Sequence, residues 1–224
     1  MDIIETIRAR KSIRGFKPDP VPQGVLREIL EIAVRAPSAN NTQPWEFFVL
    51  TGKVLDDLRE ANLEAFTNRT PFTPGIPIPP DKWGEPYRGR QLSLGIELFR
   101  LLGVGKDDWE GKVAWAEKGL RFFDAPAVIL ICVDESDQDT VYIFDCGTVA
   151  QTIALVALRF GLGTCIQRHI TNYPEAIRKA TGIPVSKRII IGIPIGYPDP
   201  DCPTYKLQST REPVANITTW LGFD

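Results

Sequence analysis

The sequence predicts an α+β or α/β domain with one sheet clad by helices. Three observations lead there. Helical periodicity recurs along the chain and outweighs strand periodicity. The few strand-like runs are interleaved with the helices rather than grouped. Two of those runs, "APAVILICVD" (125–134) and "RIIIGIPIG" (188–196), are strongly apolar, as buried strands are. At 224 residues the chain is long enough for one domain with a substantial core, and 43% hydrophobic against 24% charged residues is a globular composition. No repeat, low-complexity tract or linker interrupts it, so 1–224 reads as one domain.

Taken in order, Asp2 and Glu5 form a capping box that opens a short helix with Ile3, Ile4 and Ile7 on its apolar side. The helix runs into "RARKSIRGF" (8–16), with four cations within seven positions. Pro20 and Pro22 lead into a helix whose Leu26, Ile29, Leu30 and Ala33 recur at i, i+3, i+4 and i+7, and Pro37 stops it. After the loop "APSANNTQP", residues 45–52 read as a strand and 53–66 as a helix. Residues 67–86 hold six prolines together with Trp83, which rules out regular structure and marks a loop of functional length.

Helices follow at 87–102 and around 108–122, joined by "GVGKDD", and then the 125–134 strand. The helix at 140–160 is apolar around most of its circumference and should be buried on nearly every side. "GLGTCIQ" (161–167) reads as a turn into a strand, and 173–182 as a short helix ended by Gly182. After the 188–196 strand the tail, 197–224, is polar and irregular until the apolar patch Trp220-Leu221-Gly222-Phe223.

Composition narrows the function. With 26 Lys and Arg against 28 Asp and Glu, the net charge of −2 shows no nucleic-acid footprint. No apolar run is expected to reach the length of a membrane span. The start "MDIIETIRAR" carries acids and no signal-peptide core, so a cytoplasmic location is expected. Cys132, Cys146, Cys165 and Cys202 are scattered, without a CxxC pair, and read as buried reduced thiols. The single histidine, His169, removes any multi-histidine metal site and reads as a packed or surface residue.

Two segments carry chemistry. "GVGKDD" lacks P-loop spacing, and "GLGTCI" lacks the third glycine of a dinucleotide fingerprint. Arg10, Lys11, Ser12 and Arg14, by contrast, offer several donors at a helix end, enough to bind a dianionic phosphate. From this segment alone, a solvated charge cluster is the competing reading. Ser38, Asn40, Asn41, Thr42 and Gln43 offer amide and hydroxyl groups that read flat heterocycles well, although such residues also favour turns.

Together, "RxRKSIRxF" and, about twenty residues later, "APSANNTQPWEFFVLTG" resemble the signature pair of the FMN-dependent nitroreductase family. "FFDAPAVILICVD", "DCGTVAQTIALVALRFGLGTC" and "STREPV" resemble its later landmarks in the same order. The segment at 87–108 is similar to that of the subgroup containing nitrobenzoate reductases. The resemblance implies a nitroreductase-like α+β fold: a central, mostly antiparallel sheet clad by helices, in an intertwined homodimer with two interfacial active sites. It also implies a 67–110 insert over the active site and a 197–224 arm. The all-apolar helix at 140–160 would suit the dimer core.

The activity implied is ping-pong transfer of hydride from NADH or NADPH through flavin N5. The acceptor is a nitroaromatic, a quinone or another electron-poor compound. Ene reduction, reductive dehalogenation and non-catalytic flavin binding remain open. No side chain is implied as an essential acid or base. By resemblance, Arg10, Lys11, Ser12 and Arg211 bind the FMN phosphate and ribityl chain, and Arg14 approaches N1 and O2. Pro37, Ser38 and Asn40 meet the flavin, often from the opposite subunit, and Gln91 meets its pyrimidine edge. Gly163, Thr164, Ile166 and Gln167 lie on the strand beside N5. Relatives often place a lysine where Ser209 stands and a glycine where Arg168 and His169 follow. Trp83, Tyr87, Arg88, Trp109 and Phe123 are candidates for the substrate wall.

Overall fold

The structure, a computed structural model, describes residues 2–76, 84–136 and 140–223. Its four strands are β1 (Glu46–Thr51), β2 (Ala127–Asp134), β3 (Gly163–Thr164) and β4 (Lys187–Gly196). They form one sheet in the order β1-β2-β4-β3, and every neighbouring pair is antiparallel. Among the described residues, seven α-helices accompany it: α1 (Ile3–Ala9), α2 (Gln23–Ala33), α3 (Gly52–Thr67), α4 (Tyr87–Leu102), α5 (Trp109–Leu120), α6 (Thr140–Arg159) and α7 (Pro174–Thr181). The class is α+β. The expected "GLGTCIQ" strand shortens to two paired residues, because beyond Thr164 only isolated bridging continues, at Gln167 opposite Gly192.

The two faces of β2 explain its unbroken apolar run. Ala127, Ile129, Ile131 and Val133 enter one core with Leu26, Ile29 and Ala33 of α2 and Val149, Ile153 and Ala157 of α6. Val128, Leu130 and Cys132 point the other way, into a second core with Leu55 and Leu58 of α3 and Ile177 of α7. A strand buried on both faces has no reason to alternate, so its residues read as a continuous hydrophobic stretch. Burial pushes the Cys132 and Cys146 thiols up to about 12, so both remain protonated and inert at neutral pH.

Three helices leave apolar surface uncovered, and for α6 this departs from the sequence-based expectation. The α1 capping box forms, with Glu5 N–H donating to Asp2 Oδ1 at 2.8 Å, yet the helix buries nothing: Ile3, Ile4 and Ile7 are 51–65% exposed. α4 also has no buried residue along its sixteen. α6 is not enclosed on nearly every side: the chain covers one face only, and Phe144 stands 73% exposed on the other. Among the described residues α6 is also the one helix long and apolar enough, by length and composition, to cross a membrane, contrary to the expectation that no run would be.

Two short turns hold residues other than glycine in the left-handed region, where a Cβ is crowded. Asn40, Asn41 and Gln43 have φ of 49°, 59° and 48°, and Phe122, Phe123 and Asp124 have 61°, 53° and 60°. Arg59 of α3 clamps the second turn, its Nε donating to Arg121 O at 3.2 Å and its Nη2 to Ala125 O at 2.5 Å.

Candidate functional site

The basic segment leaves α1 as extended chain and lies along the free edge of β3. Ser12 bridges Thr164 in parallel, and the Ile13 N–H donates to Thr164 O at 2.9 Å. Alternation follows from that pairing: Ile13 is 5% exposed and points into the body, while Arg10, Lys11, Ser12 and Arg14 stay half-buried at the surface. Gly163 makes the approach possible, since a Cβ there would lie 2.4 Å from Ile13 Cγ1. The edge of the sheet thus carries a row of cations.

What surrounds these cations matters more than their number. Among the described residues, Arg10, Lys11, Arg14, Arg168 and Arg211 form no ion pair with a carboxylate. Lys11 Nζ instead donates to Tyr205 O at 2.5 Å and lies 3.8 Å from the centre of the Tyr205 ring. Arg14 Nη1 donates to Ser12 O at 3.3 Å. Half-buried cations without acidic partners form a ready acceptor for an anion. Their field reaches the neighbouring strand: burial pushes the Cys165 thiol up, and Arg14, the Ser12 hydrogen bond and Arg10 pull it back.

Beyond Thr164 the chain continues through Gln167, in an isolated bridge to Gly192, to His169 at the start of a 3-10 turn. Gln167 is 3% exposed, and its N–H donates to Gly192 O at 2.8 Å. Its side-chain Nε2 donates to Gly119 O at 3.4 Å and lies 3.4 Å from His169 Nε2, while its buried Oε1 has no partner. His169 packs against α5, where Gly119 leaves the space: a Cβ there would lie 2.7 Å from His169 Nε2. Burial, with Arg168 and Arg14 nearby, lowers the His169 pKa to about 4, so the ring is neutral at pH 7. His169 is therefore packed, one of the two expected placements.

A second group gathers around α4. Tyr87, Gln91 and Arg211 line one cleft of about 730 Å³ with the segment 208–212. The Arg90–Glu212 ion pair, at 3.0 Å, ties that segment to the helix. Arg211 curls onto its own strand of chain, donating to Ser209 Oγ and Thr210 O, both at 2.8 Å. Arg88 lines a groove on the other side of α4, again with Gln91.

The loop at 37–43 is held elsewhere, against α6. Asp145, 1% exposed, accepts the Ala39 N–H through both carboxylate oxygens, at 3.1 and 3.3 Å. Thr148 Oγ1 donates to Pro37 O at 2.9 Å, and Ser38 Oγ accepts the Gln43 N–H at 3.0 Å. Within one chain no hydrogen bond or ion pair among the described residues joins this loop to residues 10–14.

The remaining substrate-wall candidates fall apart from these clefts. Phe123 is 4% exposed and packs on Trp115, centroids 5.3 Å apart, because the left-handed turn aims it into the core. Trp109 is 74% exposed at the start of α5 and lines none of the clefts described above. Trp83 lies outside the described residues. Sequence reasoning passed over Asp145, and the available signal was a lone acid inside an otherwise apolar helical run.

Among the described residues, the sheet edge carries cations without carboxylate partners, beside a strand that begins with Gly163, an arrangement suited to an anionic ligand. The family model for the nitroreductase family matches residues 7–197, and the chain belongs to that family. It is 35% identical to the 4-nitrobenzoate reductase of Nocardioides sp. (strain LMS-CY), over 97% of this chain and 89% of the relative. Among solved structures, it superposes with a TM-score of 0.94 on the FMN and NADPH-dependent nitroreductase NfnB from Sphigopyxis sp. strain HMH, at 28% identity, with both chains fully (100%) covered. The FMN-dependent nitroreductase NfnB from Mycobacterium smegmatis in complex with NADPH gives 0.92 at 27% identity, covering 98% of this chain and 100% of that one.

Proposed function

We propose that this protein is an FMN-dependent NAD(P)H oxidoreductase that reduces nitroaromatics, quinones or similar electron-poor compounds. The observation that carries the proposal is the row of cations at residues 10–14, without acidic partners, pressed against the strand at 163–167. That donor set fits FMN: Arg10, Lys11 and Ser12 supply charge-assisted donors for the phosphate and ribityl chain, and Arg211, from the cleft beside α4, joins them by the family resemblance. Arg14 supplies positive charge where a flavin ring gains negative charge on reduction, which favours the reduced form. FMN held there would supply the redox chemistry, hydride passing from NAD(P)H to the acceptor in alternate half-reactions.

The chain's own residues hold, orient and exclude water. Gly163, Thr164, Ile166 and Gln167 form the stretch of chain beside the ring, and neutral His169, 3.4 Å from the Gln167 side chain, packs behind it without adding a charge. Gln91 meets the pyrimidine edge from α4, and Tyr87 and Arg88 form the substrate wall. Pro37, Ser38 and Asn40 face the ring from a partner subunit. That placement agrees with the absence of any described polar contact between loop 37–43 and the basic segment within one chain.

The homodimer is part of the proposal. Ile3, Ile4 and Ile7 on α1, Phe144 on α6, and Trp220, Leu221 and Phe223 in the tail are all at least half exposed in the single chain. An apolar surface of that extent is what a subunit interface covers. The tail from 197 on is the arm, and the whole chain is one domain in the cytoplasm. The relatives' names favour nitro compounds over ene reduction or dehalogenation.

The experiment is direct. The purified protein should be yellow, with a flavin absorbance spectrum bleached by anaerobic titration with NADH or NADPH and restored by a nitroaromatic. Protein that carries no flavin and takes up none on incubation with FMN overturns the proposal.

A further inference from the structure

The loop at 37–43 is unusual in what it stores and in what holds it. Asn40, Asn41 and Gln43 all sit at positive φ, between 48° and 59°, without being glycine. Such a backbone persists only where its surroundings over-determine it, and clusters of this kind mark places where geometry is needed for function. Inside the loop, the Asn41 N–H donates to Ser38 O at 3.1 Å and the Thr42 N–H to Ala39 O at 3.0 Å. Gln43 closes it, its N–H on Ser38 Oγ and its side-chain Nε2 on Asn41 O at 3.1 Å.

The loop's attachment to the body is narrower. It runs through Asp145 and Thr148, three residues apart on α6 and so on one face of the helix. Asp145 is 1% exposed, and among the described residues it has no ion-pair partner. Burying a carboxylate is costly, and a neutral side chain would fill the same place in an apolar helix at less cost. What the carboxylate makes is one contact: both oxygens converge on the Ala39 N–H, between Ser38 and Asn40.

We infer that Asp145 is a positioning residue for the redox site, with Thr148 as its auxiliary: it fixes the Ala39 amide and thereby the orientation of Ser38 and Asn40. The role rests on the proposed function, in which Ser38 and Asn40 face the flavin. Asp145 itself touches neither cofactor nor substrate. Asn at 145 keeps an oxygen acceptor for the Ala39 N–H, while Ala keeps none.

The test compares Asp145→Ala, Asp145→Asn and Thr148→Val as full-length holoprotein. FMN affinity is read by flavin fluorescence, steady-state constants with NADPH and a nitroaromatic, and Ala39 amide exchange in FMN-free protein. Loss of a hydrogen bond to a charged group predicts that Asp145→Ala weakens FMN binding or kcat/KM about tenfold or more and unprotects the Ala39 amide. Asp145→Asn should recover most of that loss, and Thr148→Val should give a smaller loss of the same kind. If Asp145→Ala lowers only the unfolding midpoint, leaving FMN affinity and kinetics unchanged, the role is merely structural and the inference falls. If Asp145→Ala does not fold, Thr148→Val decides: unchanged FMN affinity and kinetics sink the inference. Wild-type protein with a protected Ala39 amide but no affinity for FMN would instead refute the proposed function.

Discussion

The sheet edge at residues 10–14 and the cleft beside α4 are built on opposite principles. At the sheet edge, the cations are fixed by main-chain pairing to β3 and by Ile13 locked beside Gly163. α4 itself has no buried side chain, and its polar ties to segment 208–212 are a surface ion pair beside an exposed arginine curled on its own backbone. One region is rigid because it is part of the core; the other borrows whatever order it has from its surroundings. In the proposed function the cofactor end is therefore coupled to stability, and the substrate end is free to vary without endangering the fold.

Substitutions can break or sharpen that contrast. The largest effect is expected at the edge itself: Arg14→Ala should weaken FMN about 10- to 100-fold or shift its reduction potential, measured by fluorescence titration and spectroelectrochemistry. An unchanged protein removes Arg14 from the site. Next, Gly163→Ala forces a Cβ to 2.4 Å from Ile13 Cγ1. It should cost about 1–3 kcal/mol in denaturant unfolding and loosen FMN with it. If stability falls while FMN affinity holds, the two are not coupled as argued.

His169 gives a pH signature of the rigid region. Its folded-state pKa of about 4 lies below the ordinary 6.5. Between those values the unfolded chain binds a proton that the folded chain refuses. Its contribution is therefore fully present above pH 6.5 and is lost as pH falls towards 4. Replacing His169 by Gln should flatten the decline in stability across that window. The smallest effect belongs to the loose region: Arg90→Ala removes an exposed ion pair and should leave unfolding unchanged, with KM for the nucleotide moving at most about fivefold.

The same contrast decides what was legible in the sequence. β2, β4 and α6 announce themselves because burial writes a run of apolar residues, and the helix expected around 87–102 spans Tyr87–Leu102. The basic segment was readable because its cations are consecutive and alternate with Ile13. The burial of α1, α4 and α6 was not, because an apolar stripe tells that a face is to be covered and not which chain covers it. The inward place of Phe123, a wall candidate, and the contact made by Asp145 are hard to read for a related reason. The first is turned inward by a left-handed backbone, a state no residue type there announces, and the second acts through a main-chain amide 106 positions away.

The two left-handed turns differ in one respect that bears on how far the protein can be toughened. At 122–124 the conformation is already clamped by Arg59, and Asp124 is 51% exposed, in a surface pair with Arg121. Asp124→Gly should relieve crowding at little loss, gaining about 1 kcal/mol and a few degrees in melting temperature. The same replacement at Asn40 would relieve as much strain while freeing the loop that Asp145 holds. Heat tolerance is thus available at one turn without touching turnover, and at the other it is exchanged for it.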